Sequence, residues 1–216
     1  MKIESGQKLV FIGDSITDCG RAYPHGQGEG GLGYGYVQQV AALLGAACPE
    51  LAIRVINNGC SGHTVRDLKL RWNDDVLALR PDWLCVMIGT NDVWRQFDSP
   101  TQTATHVLPD EYETTLRQLI SQTKSSAHLQ GLVLMTPFYI ETSTSDAMRV
   151  KMSQYGAIVK KIVAENDALF VDTQAAFDAA LLQTSSEDLA LDKIHPTAVG
   201  HMILARAFLK TIDFAW

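Results

Sequence analysis

Three residues of this chain have side chains that can work together in nucleophilic catalysis. Ser15 follows a short apolar run at 9–12, and Asp192 and His195 occur together near the other end of the sequence. Hydrolysis by a serine requires its hydroxyl, an imidazole that takes the hydroxyl proton and a carboxylate that orients the imidazole. The residue types therefore indicate a candidate triad of Ser15, His195 and Asp192.

The same chemistry requires hydrogen-bond donors for the oxyanion that forms during the reaction. The backbone amide of Ser15, a second amide at Gly62 and the side-chain amide of Asn91 can supply three donors. A plainer interpretation stays open at this point. Gly-Asp-Ser and Asn91 are also typical of turns, and an isolated histidine such as His195 is often an ordinary surface or core residue.

The elements that would position these residues follow from hydrophobic periodicity. Apolar runs predict five strands, at 9–12, 53–59, 83–88, 131–135 and 169–172. Apolar residues at spacings of three and four predict helices at 36–44, 64–79, 110–123, 148–163, 175–182 and 199–212. Strands that alternate with helices predict an α/β fold with a parallel sheet in three layers. Because the carboxyl ends of parallel strands share one edge, Ser15, Gly62 and Asn91 are expected to converge there.

The loop that carries the candidate base is predicted from a proline. Pro196 suits the first position of the last helix and disfavours helical backbone at His195. Asp192 and His195 are therefore expected on an extended loop that points both side chains toward the sheet edge.

Composition limits the classes of function. The chain has 216 residues, 46% of them hydrophobic, and a net charge of −6, which argues against nucleic-acid partners. No apolar run approaches the ~20 residues of a membrane span, so no membrane partner is expected. We predict a single domain over 1–216. The start of the sequence lacks the features of a secretory leader and the four cysteines lack disulfide or zinc spacing, which favours a cytoplasmic protein.

A glycine-rich stretch at 26–35 formally contains the G-x-G-x-x-G pattern of dinucleotide-binding folds. That pattern must leave a strand directly and open a helix, whereas this one begins well after the strand at 9–12. A loop beside the site is the preferred interpretation, and no cofactor is predicted. Paired metal ligands such as H-E-x-x-H are absent from the sequence, so no metal is predicted either.

Four segments together resemble the signature blocks of the SGNH hydrolases, also called GDSL esterases and lipases. They occur in the family's order and span nearly the whole chain: Gly-Asp-Ser-Ile-Thr at 13–17, Ser-Gly-His-Thr at 61–64, Gly-Thr-Asn-Asp at 89–92 and Asp-Lys-Ile-His-Pro at 192–196. The resemblance implies a flavodoxin-like α/β/α fold of three layers with five parallel strands. It also implies that Ser15 is the nucleophile, that Gly62 and Asn91 join the Ser15 amide in the oxyanion hole, and that His195 is the base with Asp192 as its partner.

Further segments are similar to bacterial intracellular acetylxylan esterases of this family, which implies removal of acetyl groups from carbohydrate, with acetylated xylo-oligosaccharides as the favoured substrate. Four polar or aromatic residues near the predicted site are candidate substrate contacts: Asp14, His63, Trp94 and Tyr139. Trp94 can stack on a sugar ring, and ordinary packing explains it equally well. The rival activities are a general short-chain carboxylesterase or a lysophospholipase, and a nucleotide- or flavin-binding module is the rival outside enzymes. The sequence leaves the oligomeric state open, a homo-oligomer included.

Overall fold

Five parallel strands form the centre of the molecule. The computed structural model describes residues 1–125 and 128–215, so residues 126, 127 and 216 of the predicted domain lie outside the described part. The strands are β1 (Lys8–Gly13), β2 (Arg54–Gly59), β3 (Trp83–Met87), β4 (Gly131–Met135) and β5 (Leu169–Val171). Their order in the sheet is β2-β1-β3-β4-β5, and every neighbouring pair is parallel. The predicted flavodoxin-like sheet is therefore confirmed.

Helices connect the strands and cover both faces of the sheet. They are α1 (Ser15–Asp18), α2 (Tyr36–Ala47), α3 (Val65–Trp72), α4 (Thr90–Asp98), α5 (Pro109–Ser125), α6 (Ala147–Asn166), α7 (Thr173–Leu181), α8 (Ser186–Leu189) and α9 (Ala198–Thr211). Short 3₁₀ turns occur at Pro49–Leu51 and Thr103–Thr105. Within the described residues, no helix combines the length and the apolarity that a membrane span requires.

The core divides into two layers because successive side chains of a strand point to opposite faces. On one face, Phe11 and Met87 pack with the buried side chains of α2, α7 and α9. On the other face, Val10 and Val86 pack with those of α3, α5 and α6. Strands that are apolar on both sides are typical of a sheet covered by helices on both faces, and the predicted three-layer arrangement is confirmed.

The strand register places three carboxyl ends side by side. Gly13, the last residue of β1, is paired with Gly59 of β2 and with Met87 of β3. Glycine at 59 permits α1 to approach this edge, because an added Cβ would lie only 2.0 Å from the Asp18 amide nitrogen. The polar residues that follow the three strands therefore meet in one place.

Two helical segments differ from the sequence-based expectation. The sequence predicts no helix in the polar segment after β3, but α4 begins there, after Gly89 with a φ of 127°. The apolar residues of this helix are Val93, Trp94 and Phe97, and of these three only Val93 is fully buried. The helix predicted at 64–79 is α3 followed by a π-helical turn at Asn73–Leu77.

Candidate active site

Ser15 is positioned by a sharp change from strand to helix. β1 ends at Gly13, and the Asp14 carboxylate accepts a hydrogen bond from the Ile16 amide at 3.0 Å, which caps the short helix α1. Buried Asn57 fixes the same helix from β2 by donating to the Thr17 carbonyl at 2.7 Å. Ser15 is therefore presented at the sheet edge on a backbone that is held from two sides.

An unbroken hydrogen-bonded relay runs from Ser15 to Asp192. The Ser15 Oγ atom lies 2.8 Å from His195 Nε2, and His195 Nδ1 lies 2.6 Å from Asp192 Oδ2. The other carboxylate oxygen of Asp192 accepts hydrogen bonds from the backbone amides of Ile194 and His195. The structure thus brings together the three residues that the sequence predicted as a triad.

The charge state of Asp192 sets the tautomer of His195. Partial burial disfavours the charged carboxylate, but the hydrogen bonds from the His195 ring and backbone outweigh burial and lower the pKa of Asp192 below its usual value. An ionised carboxylate can only accept hydrogen bonds. The Nδ1 atom of His195 therefore carries a proton and donates the hydrogen bond to Asp192. Its Nε2 lone pair therefore faces the Ser15 hydroxyl and can accept the hydroxyl proton.

The loop that holds this pair is fixed at both ends. Lys193, with a φ of 63°, accepts a backbone hydrogen bond from Ile140 at 2.9 Å. Thr197 donates its amide to Leu189 and caps α9 by accepting from the Gly200 amide. The segment before α9 is a loop, as predicted, but it is not extended: residues 191–195 form a turn in which the Lys193 amide donates to the Ala190 carbonyl. These contacts define the position of His195.

The residues of the candidate oxyanion donors line one cleft together with Ser15. Gly62 has a φ of 81° in an exposed loop, and a Cβ added there would meet nothing within 4 Å. The side-chain amide of Asn91 donates to the His63 carbonyl at 3.0 Å and has a second N–H. Within the described residues, the amides of Ser15 and Gly62 have no acceptor. These three donors remain predicted members of an oxyanion hole.

Arg71 joins the strand ends to the loop that carries Gly62. Its guanidinium donates to the Gly13 carbonyl at 2.9 Å, to the Asn58 carbonyl at 2.7 Å and to Nδ1 of His63 at 3.1 Å. Burial and the neighbouring charge of Arg71 lower the pKa of His63. Sequence reasoning missed Arg71 because an arginine on a helix is usually a solvated residue.

Two aspartates next to the site are fully buried. Burial raises the pKa of Asp14 to about 7, although the hydrogen bond from the Ile16 amide acts to lower it. Burial likewise raises the pKa of Asp92 to about 7, against the hydrogen bond from the Val65 amide. One carboxylate oxygen of each has no hydrogen-bond partner among the described residues. Sequence reasoning singled out Asp14 as a substrate contact and assigned no role to Asp92.

A cleft of about 480 Å³, here called the catalytic cleft, opens over Ser15. Its lining includes five of the predicted site residues: Ser15, Gly62, Asn91, Trp94 and His195. The rings of Trp94 and His195 meet edge to face, with 5.8 Å between their centroids. The other predicted residues do not line this cleft: Asp192 lies behind His195, Asp14 is buried, His63 is held by Arg71, and the Tyr139 backbone pairs with Gln174.

A second histidine, His201, also lines the catalytic cleft, next to Cys19. The Tyr36 amide donates to Nδ1 of His201 at 3.1 Å, so the proton of the neutral ring is on Nε2, which lies 3.3 Å from Cys19 Sγ. Burial lowers the pKa of His201 to about 4 and raises that of the Cys19 thiol to about 11. This geometry leaves His201 no free lone pair with which to activate the thiol. Sequence reasoning gave it no role.

No group of three or more potential metal ligands occurs within the described residues. The glycine-rich stretch at 26–35 is a loop, as predicted, and Tyr34 at its end lines the catalytic cleft. The arrangement around Ser15 therefore has the parts of acyl transfer by a serine: nucleophile, base, orienting carboxylate and amide donors.

Comparison with known proteins gives consistent results. Residues 11–203 match the sequence model of the GDSL-like Lipase/Acylhydrolase family. An acetylxylan esterase from Geobacillus stearothermophilus is 58% identical over 100% of this chain and 98% of its own length. The crystal structure of that enzyme has a TM-score of 0.98 to this chain and covers the same shares of the two chains. An alpha/beta hydrolase enzyme from the metagenome of Lake Arreo is 45% identical, with a TM-score of 0.96 over 99% of this chain and 98% of its own.

Proposed function

Because the chain belongs to the GDSL-like Lipase/Acylhydrolase family, we propose that it is a serine esterase that removes acetyl groups from carbohydrate, with acetylated xylo-oligosaccharides as substrates. The observation that carries the proposal is the relay from Ser15 through His195 to Asp192, with distances of 2.8 and 2.6 Å. The 58% identity with an acetylxylan esterase supports the substrate class.

The relay supports a two-step reaction. The Ser15 oxygen attacks the acetyl carbonyl carbon while His195 Nε2 takes the hydroxyl proton. The tetrahedral intermediate then collapses, and His195 returns the proton to the sugar oxygen. The deacetylated sugar departs with a free hydroxyl group, and Ser15 remains acetylated. Water attacks this ester in the same way and gives up a proton to His195. The second intermediate collapses, His195 returns this proton to the Ser15 oxygen, and acetic acid departs and ionises to acetate.

Charge that develops during both steps has defined partners. The carbonyl oxygen becomes negative, and the amides of Ser15, Gly62 and Asn91 are its proposed donors. His195 becomes positive when it takes the proton, and ionised Asp192, 2.6 Å away, stabilises that charge. Asp192 is hydrogen-bonded to His195 before the reaction, so this carboxylate requires little reorganisation.

The lining of the catalytic cleft favours a short acyl group and a polar alcohol. Polar and charged side chains such as Ser61, Asn91 and Arg95 line the cleft, together with Ile16, Trp94 and Pro196. A long acyl chain needs an apolar channel, since each buried methylene contributes about 0.8 kcal/mol. The cleft therefore supports an acetylesterase over the alternatives of a general carboxylesterase or lysophospholipase. Trp94 is the proposed sugar contact with the best support.

The rival outside enzymes is a nucleotide- or flavin-binding module, for which a flavodoxin-like sheet is suitable. Such a module needs no nucleophile that is hydrogen-bonded to a base. The relay and the family both favour the hydrolase.

We also propose that the chain forms one domain, because its five strands belong to one sheet. A cytoplasmic location is a further proposal, supported by the four cysteines, all of which are free thiols. Assembly into a homo-oligomer remains a proposal that size measurement in solution would test.

Four substrates, assayed with the same enzyme sample, test the activity. Acetylated xylotetraose and p-nitrophenyl acetate should both be hydrolysed, and kcat/KM should fall steeply from p-nitrophenyl acetate to the octanoate. A lysophospholipid should be a poor substrate. A kcat/KM that rises with acyl length, or inertness toward the acetylated sugar, would contradict the proposal while leaving a serine hydrolase.

A further inference from the structure

A second hollow, here called the lateral hollow, adjoins the catalytic cleft and has a volume of about 530 Å³. The two spaces share the residues Gly62 and Arg95. Gly62 has no side chain that would separate the two spaces, and a Cβ added there would meet nothing within 4 Å. The side chains that line the lateral hollow away from the boundary include Thr64, Asp67, Ser99, Gln102 and Thr105.

The outer wall of the lateral hollow is held in place by an arginine. Arg66 donates to the carbonyls of Ala104 and His106, each at 2.9 Å, and forms a salt bridge with Glu111. The His106 ring lies 3.0 Å from the Ser99 carbonyl oxygen, and this contact joins the two ends of the segment 99–106. The hollow is therefore a formed surface, and a ligand that enters it need not order the wall first.

The side chains that face this space are able to recognise hydroxyl groups. The Ser99 hydroxyl and the side-chain amide of Gln102 form no hydrogen bond with the part of the chain that the structure describes. Arg95 uses one nitrogen on Asp98, at 2.6 Å, so other N–H groups of its guanidinium remain for a ligand. Hydroxyl, amide and guanidinium groups together donate and accept, as the hydroxyl groups of a saccharide require.

Each of the two arginines of the lateral hollow is paired with a carboxylate. Arg95 is paired with Asp98 and Arg66 with Glu111, so neither arginine presents an uncompensated positive charge to an anion. Asp67, the lining carboxylate, accepts hydrogen bonds from the Thr64 amide and hydroxyl. A neutral ligand rich in hydroxyl groups fits this surface better than a phosphate or a fatty acid.

We propose that the lateral hollow is a binding subsite for the part of an oligosaccharide that is remote from the acetyl group. This inference rests on the proposed function, because the acetylated sugar ring would occupy the catalytic cleft. The chain of the substrate would cross Gly62 and place its hydroxyl groups against Ser99 and Gln102. The esterase would then bind longer acetylated oligosaccharides better than a single acetylated sugar.

Paired variants test the subsite. Ser99→Ala/Gln102→Ala removes both unpaired groups, and Thr101→Ala is the matched control, since Thr101 is exposed in the same segment and does not line the hollow. For acetylated xylotetraose the double variant should lose about tenfold in kcat/KM, mainly through KM, as expected for two neutral hydrogen bonds. Hydrolysis of p-nitrophenyl acetate and of monoacetylated xylose should stay within about twofold of wild type.

The outcomes separate this subsite from the activity itself. An equal loss on p-nitrophenyl acetate, or no loss on the tetraose that the wild type hydrolyses, would overturn the subsite and leave the esterase. If the wild type hydrolysed no acetylated sugar, calorimetric binding of unacetylated xylotetraose to Ser15→Ala would decide. Binding that the Ser99→Ala/Gln102→Ala changes weaken about tenfold supports the subsite although the activity proposal fails; unchanged or absent binding overturns it.

Discussion

Arg71 donates a hydrogen bond from its guanidinium to the carbonyl oxygen of Gly13, at 2.9 Å, two residues before Ser15. The same carbonyl also accepts the Cys60 amide at 3.0 Å. One arginine thus connects the strand that presents the nucleophile with the loop that presents Gly62. This makes Arg71 a positioning residue: it acts through the groups that it holds.

Replacing Arg71 tests this role. Arg71→Met should lower kcat on p-nitrophenyl acetate by about ten- to a hundredfold with little change in KM, because the oxyanion donors and Ser15 lose their mutual alignment. Arg71→Lys keeps the charge but not the planar fork and should recover only part of the loss. Lys69→Met, on the same helix, is the control. A change confined to thermal stability would show that Arg71 is structural only.

Asn91 is tested by removal of its side-chain amide. Asn91→Ala should lower kcat by about a hundred- to a thousandfold, as expected for one oxyanion donor among three, while KM changes little. Steady-state kinetics on p-nitrophenyl acetate measure both parameters. A loss found only in KM would place Asn91 in ground-state binding of substrate.

Asp192 can be replaced by asparagine while the backbone hydrogen bonds that hold its loop are kept. In Asp192→Asn the remaining oxygen can still accept from the Ile194 and His195 amides, whereas the side-chain NH₂ favours the wrong tautomer of His195. Activity should fall by roughly 10⁴-fold at neutral pH. Asp188→Asn is a suitable control, because Asp188 caps α8 nearby. Near-normal activity of Asp192→Asn would transfer the partner role to another carboxylate.

The buried carboxyl of Asp92 should make stability depend on pH. Its pKa is raised from 3.8 to about 7, so the folded state holds a proton that the unfolded state releases between these values. The contribution of Asp92 to the free energy of unfolding is therefore complete below about pH 3.8 and is lost as the pH rises through about 7.

Asp92→Asn keeps an oxygen for the Val65 amide and cannot ionise. The change should therefore be more favourable at pH 8 than at pH 5, by on the order of 2 kcal/mol, or several degrees in Tm for a chain of this size. Thermal unfolding of both proteins at the two pH values measures the difference. Equal Tm differences at pH 5 and pH 8 would mean that Asp92 is ionised in both folded samples.

Some elements of the fold could be predicted from the sequence, and others could not. The strands were predictable because runs such as 9–12 and 131–135 are apolar on both faces, and buried strands of parallel sheets have that pattern. The convergence of Ser15, Gly62 and Asn91 followed from the shared edge of such a sheet. Helix α4 was missed, because it is short and begins directly in the polar segment 89–92, and its apolar residues are limited to Val93, Trp94 and Phe97.

Contacts that depend on three-dimensional proximity were beyond sequence reasoning. Arg71 reaches Gly13 across 58 residues of chain, and Val65 donates to Asp92 across 27. No local pattern distinguishes such residues from solvated ones on the same helix. The lateral hollow is likewise formed by segments that only the fold brings together.

The central claim, that Ser15 is the nucleophile, is tested most directly by covalent labelling. An organophosphate should add its phosphoryl group to wild-type enzyme at one site, which peptide mass spectrometry should assign to Ser15, with activity lost in proportion to labelling. Ser15→Ala should remain folded, unlabelled and inactive. Labelling at another residue, or a folded Ser15→Ala protein that keeps even about a tenth of wild-type activity, would contradict the account.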